Sequence, residues 1–462
     1  MADTLVLPVA APRLPLRIIP DFDRDDRVVA LAQTVGGRLL LTAIMVTLSI
    51  HQPVQLAAMI AATLIAFCPK YRDPLLLVAG MGMALASLVK TPAGLTTTSV
   101  LATLAMFGLA AALIAVAGRV GRRGPFARPI LWSISIVLLL AAVGSLPSLP
   151  PAWRSMIWIA ATTLTIHSWF LAWSLTNASG RKPCSPGRNL AMLFPFWGST
   201  SKGAAFMAKF ESRTPFDLAV TQLKALKLLL WAMLLRLAAG VFDLVAFDRL
   251  GIPTIDEAIT ALASGHPVGH ALSLAAIAAN FVSTLLRLAM VGHFLIAIAR
   301  FAGFRLPRNT YRPLEARSIA EFWNRYYYYF KERMVDFFFL PAFARLSGWN
   351  PKARVFAATF FSAGVGNYLY HFTRDIDLIR TMGPRMAIEG SATYAVYCLL
   401  LSTGIGCSQL ISGIPGRRPL PPLMAQASVL SFYALVSVFA YDGRVLSLGA
   451  HVRFLCYVLG IS

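Results

Sequence analysis

Apolar residues run in long blocks along the whole chain, and short polar gaps separate these blocks. Several blocks approach the roughly 20 residues that a helix needs to cross a bilayer. Because lipid offers no partner to an unpaired backbone group, the pattern predicts helices for these blocks. The predicted membrane helices are 38–50, 53–68, 74–89, 98–117, 129–149, 155–175, 223–247, 268–300, 355–370, 388–410, 423–439 and 447–459.

Some of these segments are too short for a simple span, so we expect re-entrant or tilted helices among them, and about eleven or twelve membrane-embedded helices in all. Two stretches interrupt the pattern: residues 177–222 are polar, and residues 301–354 are basic and aromatic. We expect both to contain half-inserted helices that line a cavity, where polar backbone is tolerated. The predicted fold class is an all-α polytopic membrane protein.

Composition and charge agree with this picture. The chain is 57% hydrophobic and 13% charged, whereas a soluble domain averages about 25% charged. The net charge of +22 comes from basic residues in the gaps at 70–72, 119–128, 181–188 and 305–317, while the alternate gaps are nearly bare. The positive-inside rule places these gaps in the cytoplasm, together with residues 1–35 as an N-terminal tail. The charge therefore does not indicate nucleic acid as a partner.

The sequence predicts neither a metal site nor a disulfide framework. Its five cysteines are scattered without paired spacing. In the predicted tail, aspartates interleave with arginines, which is typical of a solvated face: Asp21, Asp23, Asp25 and Asp26.

Ionisable residues inside predicted membrane helices are costly and are functional candidates by default. Arg287 and His293 lie in one such helix, and we assign both as substrate-binding candidates. Arg287 sits deep in the segment, so we expect a carbonyl or carboxylate partner for it. Lys224 and Lys227 lie near the end of another helix, where snorkelling to the interface is the favoured interpretation.

The basic and aromatic stretch carries the most specific motifs. It contains GFRLPRN, then RPLEARSIAEFW, then Arg325, with Asp336 further on; FPFWGS and LKALKLLLWAMLLRLA lie upstream. Over residues 194–372 the chain resembles the membrane-bound O-acyltransferase (MBOAT) family, in particular its bacterial branch that O-acetylates alginate or D-alanylates teichoic acid. The resemblance is most specific over residues 303–323.

The resemblance implies helices around a central tunnel that crosses the bilayer. Residues 177–372 would form the MBOAT-like core, between N-terminal transmembrane helices in 36–176 and C-terminal transmembrane helices in 373–462. The implied activity is a transferase of the bacterial inner membrane that O-acetylates a polysaccharide or modifies a similar acceptor. A short acyl group, such as acetyl, would pass from a cytoplasmic thioester (acetyl-CoA or an acyl carrier) to a hydroxyl of a glycan or another membrane-handled acceptor. Membrane lipids and an accessory acyltransferase subunit are the implied partners, and no tightly bound cofactor is implied.

The family's two catalytic positions are substituted in this chain. A His or Asn follows the family's FWrRW motif, and that position is Tyr327 here. A His belongs to the later GlWHG motif, where an ungapped match places Asn367, and His371 follows one helical turn later on the same face. An alcohol is a poor nucleophile, so the chemistry needs a neutral imidazole to take its proton. The Tyr327 hydroxyl is a candidate donor to an oxyanion.

Three interpretations stay open for these residues. In the first, His371 is the base, Asn367 orients it, and the active site has moved by one turn. In the second, both catalytic positions are lost and the protein is a non-catalytic relative that binds a lipid, a glycan or a partner. In the third, His371 is structural and other groups carry the chemistry. A lipid or glycan transporter is the alternative from a different class.

Around the candidate catalytic residues His371, Asn367 and Tyr327, further side chains come from the same motifs. We assign five of them as substrate-binding candidates: Trp323, Asn324, Arg325, Tyr328 and Tyr370.

Overall fold

The computed structural model describes residues 18–50, 53–89, 94–180, 184–198, 200–414, 416, 418–440 and 446–461. Within these residues the chain is all-helical, with 78% helix and a single isolated β-bridge between Glu211 and Phe304. Residues 1–17 of the predicted tail and 181–183 of a predicted basic gap lie outside the described part.

Twenty-two α-helices, numbered in chain order, lie in the described part. The first eleven are α1 (Asp26–Gln33), α2 (Val35–Ser49), α3 (Pro53–Phe67), α4 (Arg72–Leu88), α5 (Thr97–Val120), α6 (Pro129–Gly144), α7 (Pro151–Ala178), α8 (Pro186–Ala191), α9 (Ala204–Lys209), α10 (Pro215–Asp243) and α11 (Ile255–Ala263). The others are α12 (His270–Phe301), α13 (Ile319–Tyr326), α14 (Tyr328–Met334), α15 (Leu340–Arg345), α16 (Pro351–Thr359), α17 (Asn367–Arg374), α18 (Asp377–Met382), α19 (Pro384–Gly390), α20 (Ala392–Ser412), α21 (Pro422–Ser437) and α22 (Leu448–Val458).

All twelve predicted apolar segments are helical, but fewer of them are long enough to span a membrane than expected. Four helical stretches are long and apolar enough to cross a membrane: α5, Pro215–Arg249, α12 and Pro384–Ser412. The count reaches seven if the bent pairs α1–α2 and α3–α4 and the two halves of α7 are each one span. The predicted eleven or twelve included short helices such as α6, α21 and α22. The chain thus has the helices of a multi-pass α-helical membrane protein.

The start of the described chain is folded against the helical body and is not a free tail. Lys227 on α10 bonds to Asp21 at 2.6 Å and also to Asp23, whose side chain is buried, and α1 packs along α10. The prediction of a solvated acidic face is wrong for these two aspartates, and so is the prediction that Lys227 snorkels. Both predictions used local sequence alone, whereas the ion pairs join two parts of the chain that are about 200 residues apart.

Helix pairing places the candidate site. The helix α10 packs along α12, and α6 packs along α7 as a hairpin. A separate cluster of buried aromatic and aliphatic residues joins α6 and α7 to α14 and α17, and its largest members include Trp169, Phe330 and Phe338. Asn367 and His371 lie beside this cluster.

Candidate functional site

The helix that carries Asn367 and His371 runs from Pro351 to Arg374 without a break, because a π-helical segment joins α16 to α17. The segment, Phe360–Gly366, is rich in small residues. A Cβ added at Gly366 would lie 2.6 Å from the Phe338 ring, so the bare glycine permits this close approach. Wide π turns of this kind recur at functional sites.

Asn367 and His371 share one face of α17, and Tyr394 of α20 packs against that face. The Tyr394 hydroxyl donates a hydrogen bond to Asn367 Oδ1 at 3.3 Å. The His371 ring lies against the Tyr394 ring with their centroids 4.0 Å apart. Asn367 is only 1% exposed, so this hydrogen bond satisfies a buried acceptor. The spacing of four residues predicted the shared face, whereas Tyr394 was not among the predicted site residues.

A small cavity of about 30 Å³ lies beside the His371 ring. Its wall carries several groups that can hydrogen-bond, and the lining includes Tyr368, His371, Asp375, Ser391 and Tyr394. The hydroxyls of Tyr368 and Ser391 are 2.7 Å apart. A space of this volume has room for about one water molecule.

The imidazole of His371 is poised as a neutral group. Its Nδ1 is buried and has no hydrogen-bond partner among the described residues, which is uncommon for a buried polar atom. The pKa of His371 is lowered to about 3, mainly by burial and then by Arg374, while Asp375 opposes the shift. The ring is therefore uncharged at neutral pH and able to accept a proton.

Tyr327 lies at a break between two helices and does not contact His371. It ends α13 in an extended conformation, with φ −142° and ψ 77°, and α14 begins at the next residue. The Phe330 ring stands between the two candidates, 6.1 Å from the Tyr327 ring and 6.1 Å from the His371 ring. Of the three predicted catalytic residues, the structure therefore brings two together and keeps the third behind Phe330.

The chain near Tyr327 is held by the segment that carries the GFRLPRN motif. The backbone N–H of Tyr328 donates to Asn309 O at 2.8 Å, and the N–H of Tyr329 donates to Asn309 Oδ1 at 3.3 Å. The Thr310 hydroxyl donates to Tyr326 O at 2.8 Å. These bonds fix the backbone on both sides of Tyr327 against the motif segment.

The predicted substrate-binding residues fall into two groups. Trp323 and Tyr370 both pack on Phe330, with ring centroids 5.9 Å and 5.0 Å away, so they belong to the aromatic cluster beside His371. Asn324 is exposed, and Arg325 forms an ion pair with Glu321 at 2.5 Å.

Tyr328 lies on the far side of α14 from the His371 cavity, towards a charged cluster. Its ring packs at 5.1 Å against Tyr329 and beneath the ammonium group of Lys331. Burial is the main reason that the pKa of Tyr328 rises to about 12. The Tyr328 hydroxyl therefore stays protonated at neutral pH.

Arg287 and His293 lie on α12, and neither lines the cavity at His371. Arg287 forms an ion pair with Asp243 of α10, and the Ser283 hydroxyl also donates to Asp243 at 2.8 Å. The expectation of a carboxylate partner is confirmed. His293 contacts Ala289 O through Nδ1 at 2.7 Å, within its own helix. Their predicted roles in substrate binding stay predictions.

The structure reveals a charged cluster that sequence reasoning missed. Lys202 bonds to Glu332 at 2.6 Å and to Asp336 at 3.1 Å, and Asp336 accepts from Trp173 Nε1 at 3.1 Å. One turn away, the fully buried guanidinium of Arg333 lies over the rings of Phe170, Trp173 and Tyr370. The sequence signal that could have indicated this cluster is the group of charged residues that follows the tyrosines and precedes the apolar run: Lys331, Glu332, Arg333 and Asp336.

In the comparisons with known proteins, no family model and no curated protein matches this chain. Within the described ranges, no three His, Cys, Asp or Glu side chains are grouped to hold a metal ion. The case for a function therefore depends on the motifs and on the geometry around His371.

Proposed function

We propose that this protein is a membrane-embedded O-acyltransferase of the MBOAT type in which His371 is the general base. The observation that carries the proposal is the half-buried imidazole of His371, whose buried Nδ1 has no hydrogen-bond partner among the described residues and which lines a small cavity together with Tyr368, Asp375 and Ser391. The motifs that lead into Tyr327 and Asn367 supply the reaction class. The donor is a cytoplasmic thioester such as acetyl-CoA or an acyl carrier, and the acceptor is a hydroxyl of a glycan or a similar molecule. The chain would lie in the bacterial inner membrane with a cytoplasmic N-terminus and an accessory subunit.

The reaction is a direct transfer. As the acceptor oxygen attacks the thioester carbonyl carbon, a ring nitrogen of His371 takes the hydroxyl proton. The tetrahedral intermediate then collapses, the carbon–sulfur bond breaks, and the imidazolium returns the proton to the departing thiolate. The products are an ester and a thiol. Tyr327 does not line the cavity at His371, so we assign the donor to the oxyanion to the Tyr368 hydroxyl. The Ser391 hydroxyl already donates to Ile388 O at 2.7 Å, and Tyr368, which bonds to Ser391 at 2.7 Å in the closed cavity, turns toward the substrate when the cavity opens.

Asn367 acts through Tyr394 in this scheme. The hydrogen bond between them fixes the Tyr394 ring, and the ring in turn packs on the imidazole. Asn367 is therefore a positioning residue for His371. Its location one turn before the base follows from the helical repeat of α17.

The low pKa keeps His371 neutral but also makes it a weak base, since a general base works best with a pKa near the working pH. Asp375, which lines the same cavity, raises that pKa. We expect Asp375→Asn to lower kcat while the KM for the thioester stays unchanged. Because the pKa of His371 lies at about 3, we expect no loss of rate from its protonation between pH 8 and pH 5. A fall in rate across that interval that disappears in His371→Gln would contradict this assignment.

Substrate entry requires the cavity to open, because about 30 Å³ holds a water molecule but no thioester. Part of the cavity wall comes from α18, which is six residues long and ends before the longer stretch Pro384–Ser412. A short helix between two longer elements opens locally at a low free-energy cost. We assign the opening movement to α18.

The test is thioester turnover by purified protein in lipid nanodiscs. Acetyl-CoA is the donor, cell-envelope glycan is the acceptor, and release of free thiol is the readout. We expect His371→Ala to lower the rate by at least about 100-fold, the scale of general-base catalysis. The matched control is His451→Ala, which removes another buried histidine from a different cluster. Equal rates in both variants and the unmodified protein would refute the role of His371.

A second candidate is a non-catalytic relative that binds an amphiphile, and the closed state of the cavity favours it. The same assay separates the two. If the unmodified protein consumes no thioester while it still binds a lipid or glycan, the binding protein is the better description.

A further inference from the structure

A second cavity, much larger than the one at His371, opens beside α6. This groove has a volume of about 950 Å³ and lies between α6, the end of α7, the α14–α15 segment and the π-helical segment of Phe360–Gly366. Much of its lining is apolar, including Ile130, Leu131, Phe338, Phe361, Val365 and Leu369. Leu131 and Phe361 are each 46% exposed, so the groove opens sideways on the apolar surface of the helical body.

Two of the three basic side chains of the groove come from one end of the helical hairpin of α6 and α7, and the third comes from α15. Because α6 and α7 are antiparallel and joined at residues 145–150, the start of α6 and the end of α7 lie on the same side. Arg122 and Arg128 line the groove just before α6, and Arg345 lines it at the end of α15. All three are exposed, and none forms an ion pair or a side-chain hydrogen bond with another described residue.

The groove also contains one carboxylate, but its charge is already compensated. Asp336 pairs with Lys202 at 3.1 Å and accepts a hydrogen bond from Trp173. Among the charged side chains that line the groove, three uncompensated positive charges therefore remain. The groove combines an apolar slot with positive charge at the end where the sequence pattern predicts the cytoplasmic surface.

We propose that this groove binds an anionic phospholipid, with an acyl chain along the apolar lining and the phosphate at Arg122, Arg128 and Arg345. Basic pockets between membrane helices on the cytoplasmic side recognise anionic head groups, and each arginine near the surface adds attraction. The open side of the groove gives a lipid lateral access from the bilayer. This site lies across the aromatic cluster from the His371 cavity, and lipid binding there is independent of acyl transfer.

The test is titration of the full chain, in a mild neutral detergent, with a fluorescent phosphatidylglycerol and separately with a phosphatidylcholine that carries the same chains. We expect the unmodified protein to prefer phosphatidylglycerol by at least about tenfold in Kd. The triple variant Arg122→Gln, Arg128→Gln, Arg345→Gln removes the proposed contacts. We expect its Kd for phosphatidylglycerol to rise at least tenfold, to about the value for phosphatidylcholine, since each contact is expected to contribute a factor of about five.

The matched control removes the same charge elsewhere. Arg119, Arg123 and Arg385 are exposed and do not line the groove, so the triple variant with glutamine at those positions should bind phosphatidylglycerol as tightly as the unmodified protein. Equal loss in both triple variants would mean unspecific charge attraction and would overturn the site. The comparison of the two lipids on the unmodified protein stands even if a variant fails to fold.

Two further outcomes would overturn the proposal. Equal binding of phosphatidylcholine and phosphatidylglycerol would mean that the arginines do not select the head group. Displacement of bound lipid by acetyl-CoA would mean that the groove belongs to the acyl donor. Thioester turnover is measured separately, so a failure of the lipid site and a failure of the acyltransferase proposal are distinguishable.

Discussion

Lys202 holds two partly buried carboxylates, and its replacement by methionine isolates what that contact contributes. The ammonium group lies 2.6 Å from Glu332 and 3.1 Å from Asp336, and the three side chains are 15% to 23% exposed. Lys202→Met keeps most of the side-chain volume and removes the charge. Glu332 then keeps its bond to Lys331 at 2.5 Å, and Asp336 keeps the hydrogen bond from Trp173 Nε1 at 3.1 Å.

The magnitude follows from the burial of the partners. Removing one member of a buried ion pair costs about 3–5 kcal/mol, because a charge is left without compensation. Since these side chains keep some contact with solvent, we expect the lower part of that range, about 3 kcal/mol at pH 8. The double variant Lys202→Met, Asp336→Asn removes the carboxylate that the first substitution strands, since Glu332 keeps Lys331. We expect it to recover about 1–2 kcal/mol of the loss.

The pH dependence has a definite sign. Burial raises the pKa of Glu332, but Lys331 and Lys202 outweigh burial, so the pKa of Glu332 lies below its usual value. This carboxylate therefore stabilises the fold above its unfolded pKa, and the contribution is lost as pH falls through the folded pKa. Burial dominates at Asp336 and its pKa is raised, which opposes folding at neutral pH. Without Lys202 both pKa values rise, so we expect the destabilisation by Lys202→Met to shrink by at least about 1 kcal/mol between pH 8 and pH 5.

The measurement is the free energy of unfolding in a mixed-micelle detergent titration, followed by tryptophan fluorescence at both pH values. Lys209→Met is the control, because Lys209 is exposed and lies in the neighbouring helix α9. A loss below 1 kcal/mol at pH 8, or a loss that grows as the pH falls, would refute the reasoning. The first result would mean that water reaches both carboxylates, and the second that the cluster is not the source of the effect.

Two further substitutions test the packing around α17. Tyr394→Phe keeps the ring on His371 but leaves Asn367 Oδ1 without its donor. Since Asn367 is buried, we expect the free energy of unfolding to fall by about 1–3 kcal/mol in the same assay. Unchanged stability would mean that the amide finds another partner. Gly366→Ala places a methyl group 2.6 Å from the Phe338 ring and should lower the free energy of unfolding by about 1–3 kcal/mol. The control Gly108→Ala, with nothing within 4 Å of its added methyl group, should be neutral or stabilising. Equal effects of the two substitutions would contradict the close contact.

Local features of the site follow from the sequence because they depend on neighbours a few residues apart. Hydropathy placed helices at all twelve predicted segments, since an apolar block in lipid has few alternatives to a helix. The spacing of Asn367 and His371 placed both on one face of α17, because four residues make about one helical turn.

Contacts between distant segments were decided only by the tertiary structure. Tyr394 lies 23 positions beyond His371, and nothing in its local sequence marks it as the residue that packs on the imidazole. The partners of Lys202 and Lys227 are farther still, at least 130 and 204 positions away along the chain, so the local pattern at Asp21 and Asp23 was interpreted as a solvated face. The position of Phe330 between Tyr327 and His371 depends on how α14 packs against α17. Hydropathy and helical spacing fix which residues can share a face, whereas the choice of partner depends on the packing of whole helices, which leaves no periodic signal in the sequence.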